Sequence, residues 1–157
     1  NKGEQQLDIL VKKEKIFDNI VAVSGTKKEA IRTISRLCAK QTMLDATQLE
    51  EAFWKREEWD STGCGEGIAI PHAIIKEIDE VQLFIVRFRY PIEWESFDDK
   101  KVDIAFAIIA PEEKGQEKYL VFLSRLARKL VDEKFVADFR NCRSTEAVYQ
   151  YVKNELE

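Results

Sequence analysis

The segment Val102-Asp103-Ile104-Ala105-Phe106-Ala107-Ile108-Ile109-Ala110 is apolar at every position except Asp103. A strand that buries one face alternates apolar with polar residues, so a run like this needs cover on both faces. The chain is therefore committed to a sheet with a helical layer on each side, and this strand belongs at its centre. Val81–Tyr90 is a second long strand candidate, setting Leu83, Ile85 and Arg87 against Phe84, Val86 and Phe88. Pro91 and Pro111 are expected to end the two long strands. Gly67–Pro71 and Ile20–Val23 are shorter candidates.

Helical periodicity fills the intervals. Ser24-Gly25 turns into a helix opened by the capping box Thr26-x-x-Glu29, with Ala30, Ile31, Ile34, Leu37 and Cys38 as its apolar stripe. A second box, Thr47-x-x-Glu50, opens a helix running to about Trp59. At about 100° per residue Leu49, Ala52 and Phe53 share one face, Arg56 falls inside that arc, and Lys55, Glu57 and Glu58 point elsewhere. A third helix from about Gln116 to Val131 turns Tyr119, Leu120, Leu123, Leu126, Ala127 and Leu130 inward, and Ser144 starts a closing helix with Val148, Tyr151 and Val152 on its stripe. The expected class is α/β, a mixed, mainly central sheet flanked by helices on both faces. No repeat or linker divides the chain, so residues 1–157 read as one domain with a polar lead over 1–15.

Composition removes several function classes. The net charge of -4 arises from 25 basic and 29 acidic residues in mixed order, with no basic stripe to neutralise a nucleic acid backbone. No apolar run approaches the roughly 18 residues that cross a bilayer, and the lead lacks the apolar region of a signal peptide, so a soluble, cytoplasmic protein without membrane insertion is expected. Cys38, Cys64 and Cys142 form no CxxC pair and read as reduced thiols; Cys64, in a glycine loop, is the one candidate for reactivity. With a single histidine, neither a metal site nor a cofactor is expected.

That histidine, His72, ends the run Ser61-Thr62-Gly63-Cys64-Gly65-Glu66-Gly67-Ile68-Ala69-Ile70-Pro71-His72, pinned by a proline at a strand end. An imidazole with an ordinary pKa of about 6.5 is the side-chain nitrogen nucleophile most available near neutrality. The alternative is a structural histidine bonded to a backbone carbonyl. Arg56 likewise has two readings: an aliphatic stem covering core edge with its head in water, or an inward guanidinium whose planar fork holds an anion near His72. Glu66 either orients His72 or solvates the turn.

The glycine loop fits no nucleotide motif, since Gly63-x-Gly65-x-Gly67 leads into a strand and GxxxxGK[ST] is absent. Serine hydrolase chemistry lacks a GxSxG nucleophile. The parts suit phosphoryl transfer to histidine: a nitrogen nucleophile at His72, hydroxyls at Ser61 and Thr62, backbone N–H groups exposed by glycines such as Gly67, and Arg56 for spread-out charge.

Arg56-Glu57, Ser61-Thr62-Gly63 and Gly65-x-Gly67-Ile68-Ala69-Ile70-Pro71-His72 together resemble the signature of the EIIA domains of the phosphoenolpyruvate-dependent sugar phosphotransferase system, of the fructose/mannitol class that includes the nitrogen-related EIIA proteins. The similarity continues through Val102–Ala107 and Leu123–Ala127. The resemblance implies that His72 accepts phosphate from phospho-HPr and passes it to an EIIB domain of a sugar transporter, with Arg56 positioning the group. Where the family commonly has a second active-site histidine this chain has Tyr119. A tyrosine, with a pKa of about 10, donates a hydrogen bond to a phosphoryl oxygen but supplies no cation at neutral pH. Tyr119 otherwise serves as core edge at the start of its helical stripe. The alternative function is a regulatory EIIA-like module whose binding to a protein partner is switched by phosphorylation of His72, or that has lost transfer.

Overall fold

The computed structural model describes residues 11–157. After a 3₁₀ turn at Lys13–Lys15 come strand β1 (Ile16–Ile20), helices α1 (Lys27–Thr42) and α2 (Ala46–Trp59), strands β2 (Gly63–Gly65), β3 (Ile68–Ala69), β4 (His72–Ile75), β5 (Gln82–Ile92) and β6 (Val102–Pro111), and helices α3 (Gln116–Leu130), α4 (Glu133–Arg140) and α5 (Thr145–Leu156). The strands form one mixed six-stranded sheet in the order β1-β5-β6-β3-β2, with β4 also paired to β6. β6 is the hub, antiparallel to β5 and parallel to β3 and β4.

The apolar run of β6 serves two cores, as its composition requires. Ile104, Phe106, Ile108 and Ala110 join Leu83 and Ile85 beneath α3, α4 and α5, whereas Val102, Ala105, Ala107 and Ile109 join Phe84, Val86 and Phe88 beneath α1 and α2. No helix among the described residues is long and apolar enough to cross a membrane.

Several local expectations shift. The first strand is Ile16–Ile20, ahead of the expected Ile20–Val23: Ile16 and Phe17 pair with Ile85 and Val86, the register then breaks at Asn19 (φ 56°), and Val23 is left exposed beside the turn in which Gly25 N donates to Ala22 O. α1 is capped by Thr26, whose Oγ1 accepts from Glu29 N at 3.2 Å, but the Glu29 carboxylate pairs with Arg32 and so makes only half a capping box. α2 opens at Asp45, not Thr47; the Asp45 carboxylate accepts from Gln48 N at 2.9 Å and is the stronger cap. In α3 the buried residues are Tyr119, Phe122, Leu126 and Leu130, whereas Leu120 and Ala127 face out and Leu123 lies at the margin. β5 runs through Pro91 to Ile92 instead of ending before it, consistent with a position where the ladder shifts register.

Pro71 divides what reads as one strand into two. Having no N–H, it cannot continue the ladder as a donor; its carbonyl still accepts from Ile108 N at 2.9 Å, and pairing resumes with His72 opposite Ile108. His72 thus starts β4 and does not end β3. Because Phe106 is fully buried at the centre of one core, F106A is expected to lower unfolding stability by about 3–5 kcal/mol, read from the urea midpoint.

Candidate functional site

His72 is half-buried where β4 begins, and its neighbours along the strand, Ala73 and Ile75, anchor it in the core below α1 and α2. The ring meets Tyr119 of α3 edge-on, with centroids 6.4 Å apart and planes at 72°. Nδ1 is fully buried and has no hydrogen-bond partner of good geometry. An unpaired buried polar atom costs about 1–3 kcal/mol, which sets Nδ1 apart from the other buried side-chain polar atoms of the described residues.

Burial, followed by the positive charge of Arg56, holds the His72 pKa below the ordinary value; the carbonyls of Ile70 and Pro71 and the carboxylate of Glu57 work in the opposite direction. The imidazole is therefore neutral at pH 7 and its lone pair is available. Tyr119 is pushed up by burial, with Arg56 opposing, so its phenol keeps its proton as a hydrogen-bond donor. Arg56 thus acts electrostatically on both rings. Its guanidinium donates from Nη1 to Asp60 O at 2.5 Å at the end of α2 and lies over the exposed Trp59 ring, 5.3 Å from its centroid. No carboxylate among the described residues forms an ion pair with it, which leaves its charge free for an anion.

Glu57 contradicts its expected outward direction. It is 4% exposed, and its carboxylate accepts from Thr62 Oγ1 at 2.6 Å, Thr62 N at 2.8 Å, Trp94 Nε1 at 3.1 Å and Lys27 Nζ at 3.2 Å. Lys27 also bridges to Glu95 at 2.6 Å. This network ties α1, α2, the glycine loop and the β5–β6 connection together. The spacing Leu49–Phe53–Glu57, four residues apart, was a legible signal for burial; the arrival of Lys27 and Trp94 was not.

The remaining candidates divide. Thr62 is tied to the strand that leads to His72, because its carbonyl accepts from Ile70 N at 3.0 Å two residues before the histidine, and Ser61 precedes it in the loop. Both hydroxyls are already engaged, Thr62 with Glu57 and Ser61 donating to Glu95 O at 2.7 Å while accepting from Gly63 N. Gly67 is not brought to the ring. It precedes Ile68, which faces Ile104, whereas His72 faces Ile108, four residues or about 13 Å along β6. At φ +78° its carbonyl accepts from Asp103 N and Ile104 N, and an added Cβ would meet Arg140 Nη2 at 2.7 Å, so its role is structural. Glu66 solvates the turn: its N–H donates to Asp98 and its carboxylate pairs with Lys100. Cys64 is exposed as a residue, yet its loop desolvates the sulfur and, with Glu57, pushes the thiol up to about 11, which makes it a poor nucleophile.

Residues 9–155 match the family model described as Phosphoenolpyruvate-dependent sugar phosphotransferase system, EIIA 2, and the chain belongs to that family. Proteins of this class are phosphocarriers of the EIIA type. Within it, the chain is 36% identical to the nitrogen regulatory protein of Escherichia coli (strain K12) over 129 residues, 81% of this chain and 78% of the relative. The crystal structure of nitrogen regulatory protein IIA-Ntr from Neisseria meningitidis superposes with a TM-score of 0.81 at 27% identity, covering 90% of this chain and 94% of that one. The enzyme IIA of the Escherichia coli mannitol system, solved in complex with phosphorylated enzyme IIB, shares the fold with a TM-score of 0.70 at 21% identity, over 90% of this chain and 95% of its own.

The sole histidine makes its titration directly observable. The His72 ring resonances are expected to titrate with a midpoint below about 6.5, and R56Q, which removes a lowering charge, is expected to raise that midpoint. Because the unfolded chain then binds the proton more readily than the folded one, stability falls as pH drops from about 6.5 towards the folded midpoint, and R56Q narrows that window.

Proposed function

We propose that this chain is a regulatory EIIA phosphocarrier, in which His72 accepts a phosphoryl group from a phosphohistidine carrier of the HPr type and its charge state governs binding to a protein partner. The observation that carries the reading is the neutral imidazole at the start of β4, its Nδ1 without a hydrogen-bond partner, under the field of an arginine with no carboxylate partner. In the transfer, the N–P bond to the carrier imidazole breaks as the bond to a His72 nitrogen forms, and the electron pair of the broken bond returns to the carrier ring. Arg56 neutralises the equatorial oxygens as charge spreads over them, and the Tyr119 phenol donates to one of them. No metal or cofactor takes part.

The regulatory branch is favoured over delivery to a sugar transporter because the nitrogen regulatory protein of Escherichia coli is 36% identical over 81% of this chain, and a second nitrogen regulatory protein superposes with a TM-score of 0.81. A phosphohistidine adds about -1.5 to -2 charge at the start of β4, enough to break or make an interface. Tyr119 supports the same reading: without a second imidazolium the phosphorylated state has one fewer cation, which suits a switch more than rapid relay. The second reading, transfer to an EIIB domain, draws on the shared fold with the mannitol enzyme, which forms such a complex. In either case residues 1–157 act as one EIIA domain in the cytoplasm.

Incubation with phosphoenolpyruvate, enzyme I and HPr, or the dedicated carriers of the nitrogen branch, is expected to add one acid-labile phosphoryl group by intact mass. H72A is expected to add none; labelling that persists in H72A would defeat the assignment. Equal partner capture by the phosphorylated and unphosphorylated forms would remove the switch.

A further inference from the structure

A leucine at position 57 would continue the Leu49–Phe53 stripe at no electrostatic cost, whereas a buried carboxylate must recover a desolvation penalty of several kcal/mol through its hydrogen bonds. Glu57 recovers it by a route that leads to the functional ring. Two of its four bonds go to Thr62, one to the amide and one to the hydroxyl. The Thr62 carbonyl takes the amide of Ile70, the Pro71 carbonyl takes the amide of Ile108, and His72 follows. The carboxylate therefore sits at the head of a short chain of hydrogen bonds and fixed backbone that ends at the imidazole.

Sequence adjacency adds a second link. Arg56 and Glu57 project from one turn of α2, so the cation that acts on His72 and the anion that opposes it are held by the same backbone. The charged and titratable groups acting on the ring are Arg56 and Glu57 from α2, together with the carbonyls of Ile70 and Pro71 from its own strand, while Tyr119 of α3 packs against it. Those facing Glu57 are Lys27 of α1, backed by Glu95, the Trp94 indole of the β5–β6 connection and the Cys64 thiol of the loop.

We propose that Glu57 is a positioning residue for phosphoryl transfer: by gripping Thr62 it fixes the backbone that presents His72, and its negative charge tempers Arg56 at the ring. The proposal rests on the reading of His72 as the phosphoryl acceptor. A residue that only stabilised the fold would, when changed, lower the unfolding temperature without altering the titration of His72 or the rate of its labelling.

The test uses E57Q in the full chain, with nuclear magnetic resonance titration of the single histidine and time-resolved labelling by the carrier chain. The amide keeps the shape and loses the charge, so the His72 midpoint is expected to fall below that of the unaltered protein, and labelling at pH 7.5 is expected to slow roughly ten- to a hundredfold through misplacement of the acceptor. E57D, which keeps the charge but withdraws it from Thr62, is expected to leave the midpoint in place and still slow labelling. It also serves as the second variant should E57Q not fold. E51Q, on the exposed face of the same helix, is expected to change neither reading. Unchanged midpoint and rate in folded E57Q, or an unchanged rate in E57D, would overturn the proposal. If the unaltered protein takes no phosphate at all, the reading of His72 as acceptor fails instead, and the titration of E57Q alone still decides whether Glu57 acts on the ring: a lowered midpoint keeps that coupling, an unchanged one removes it.

Discussion

The buried carboxylate of Glu57 is the constraint on which the site depends. Breaking a buried ionic network by removing one member costs about 3–5 kcal/mol, far more than a surface pair, because the partners are left charged and dry. Here the network draws on four separate pieces of the chain: Lys27 at the start of α1, Thr62 in the glycine loop, Trp94 after β5, and Glu57 itself on α2. The network therefore fixes how the helical layer sits on the sheet at the edge where β4 begins. The glycine loop is shaped by the same closure. At Gly63 an added Cβ would collide with the carbonyl of Glu95, the residue whose side chain completes the Lys27 bridge and whose carbonyl accepts from Ser61. The glycines that sequence patterning reads as an anion cradle thus allow close approach of two loops.

The proposed function draws on what this frame leaves unsatisfied. Nearly all polar side chains around the loop are engaged with one another, whereas His72 Nδ1 and most of the Arg56 guanidinium are not. Burial and a neighbouring cation together keep the ring neutral, which suits an acceptor that must present a lone pair at cellular pH. Pro71 contributes by interrupting the ladder, so that His72 begins a new strand at a point where the backbone is held opposite Ile108 and the ring meets Tyr119. Ligand sites in open α/β sheets commonly form at such strand ends.

Much of the fold was legible because it rests on local period and on composition. The continuous apolar run of β6, the alternation along β5 and the stripe of α1 each have one physical solution, and the structure adopts it. Where two solutions were nearly degenerate, contact with the sheet decided. In α3 the stripe through Leu120, Leu123 and Ala127 and the stripe through Tyr119, Phe122 and Leu126 differ by a rotation of about 100°, and the larger Phe122 goes inward. In α2 a smaller rotation, which keeps Leu49 and Phe53 inward, carries Glu57 into the core, because a carboxylate is acceptable there once Lys27, Thr62 and Trp94 arrive from elsewhere. No pattern within the helix could announce those donors.

His72, Arg56 and Tyr119 were visible as candidates from their types and spacing, and the structure does bring them into one electrostatic neighbourhood. By itself the sequence determined the layered sheet, the central strand and the position of the one imidazole, since these follow from hydrophobic period and from there being a single histidine. Only the tertiary structure decided that Glu57 is buried, that Gly67 is held at the far end of β6 by Asp103 N and Ile104 N, and that Thr62 is held by a carboxylate, since each depends on which distant groups supply or refuse a hydrogen bond.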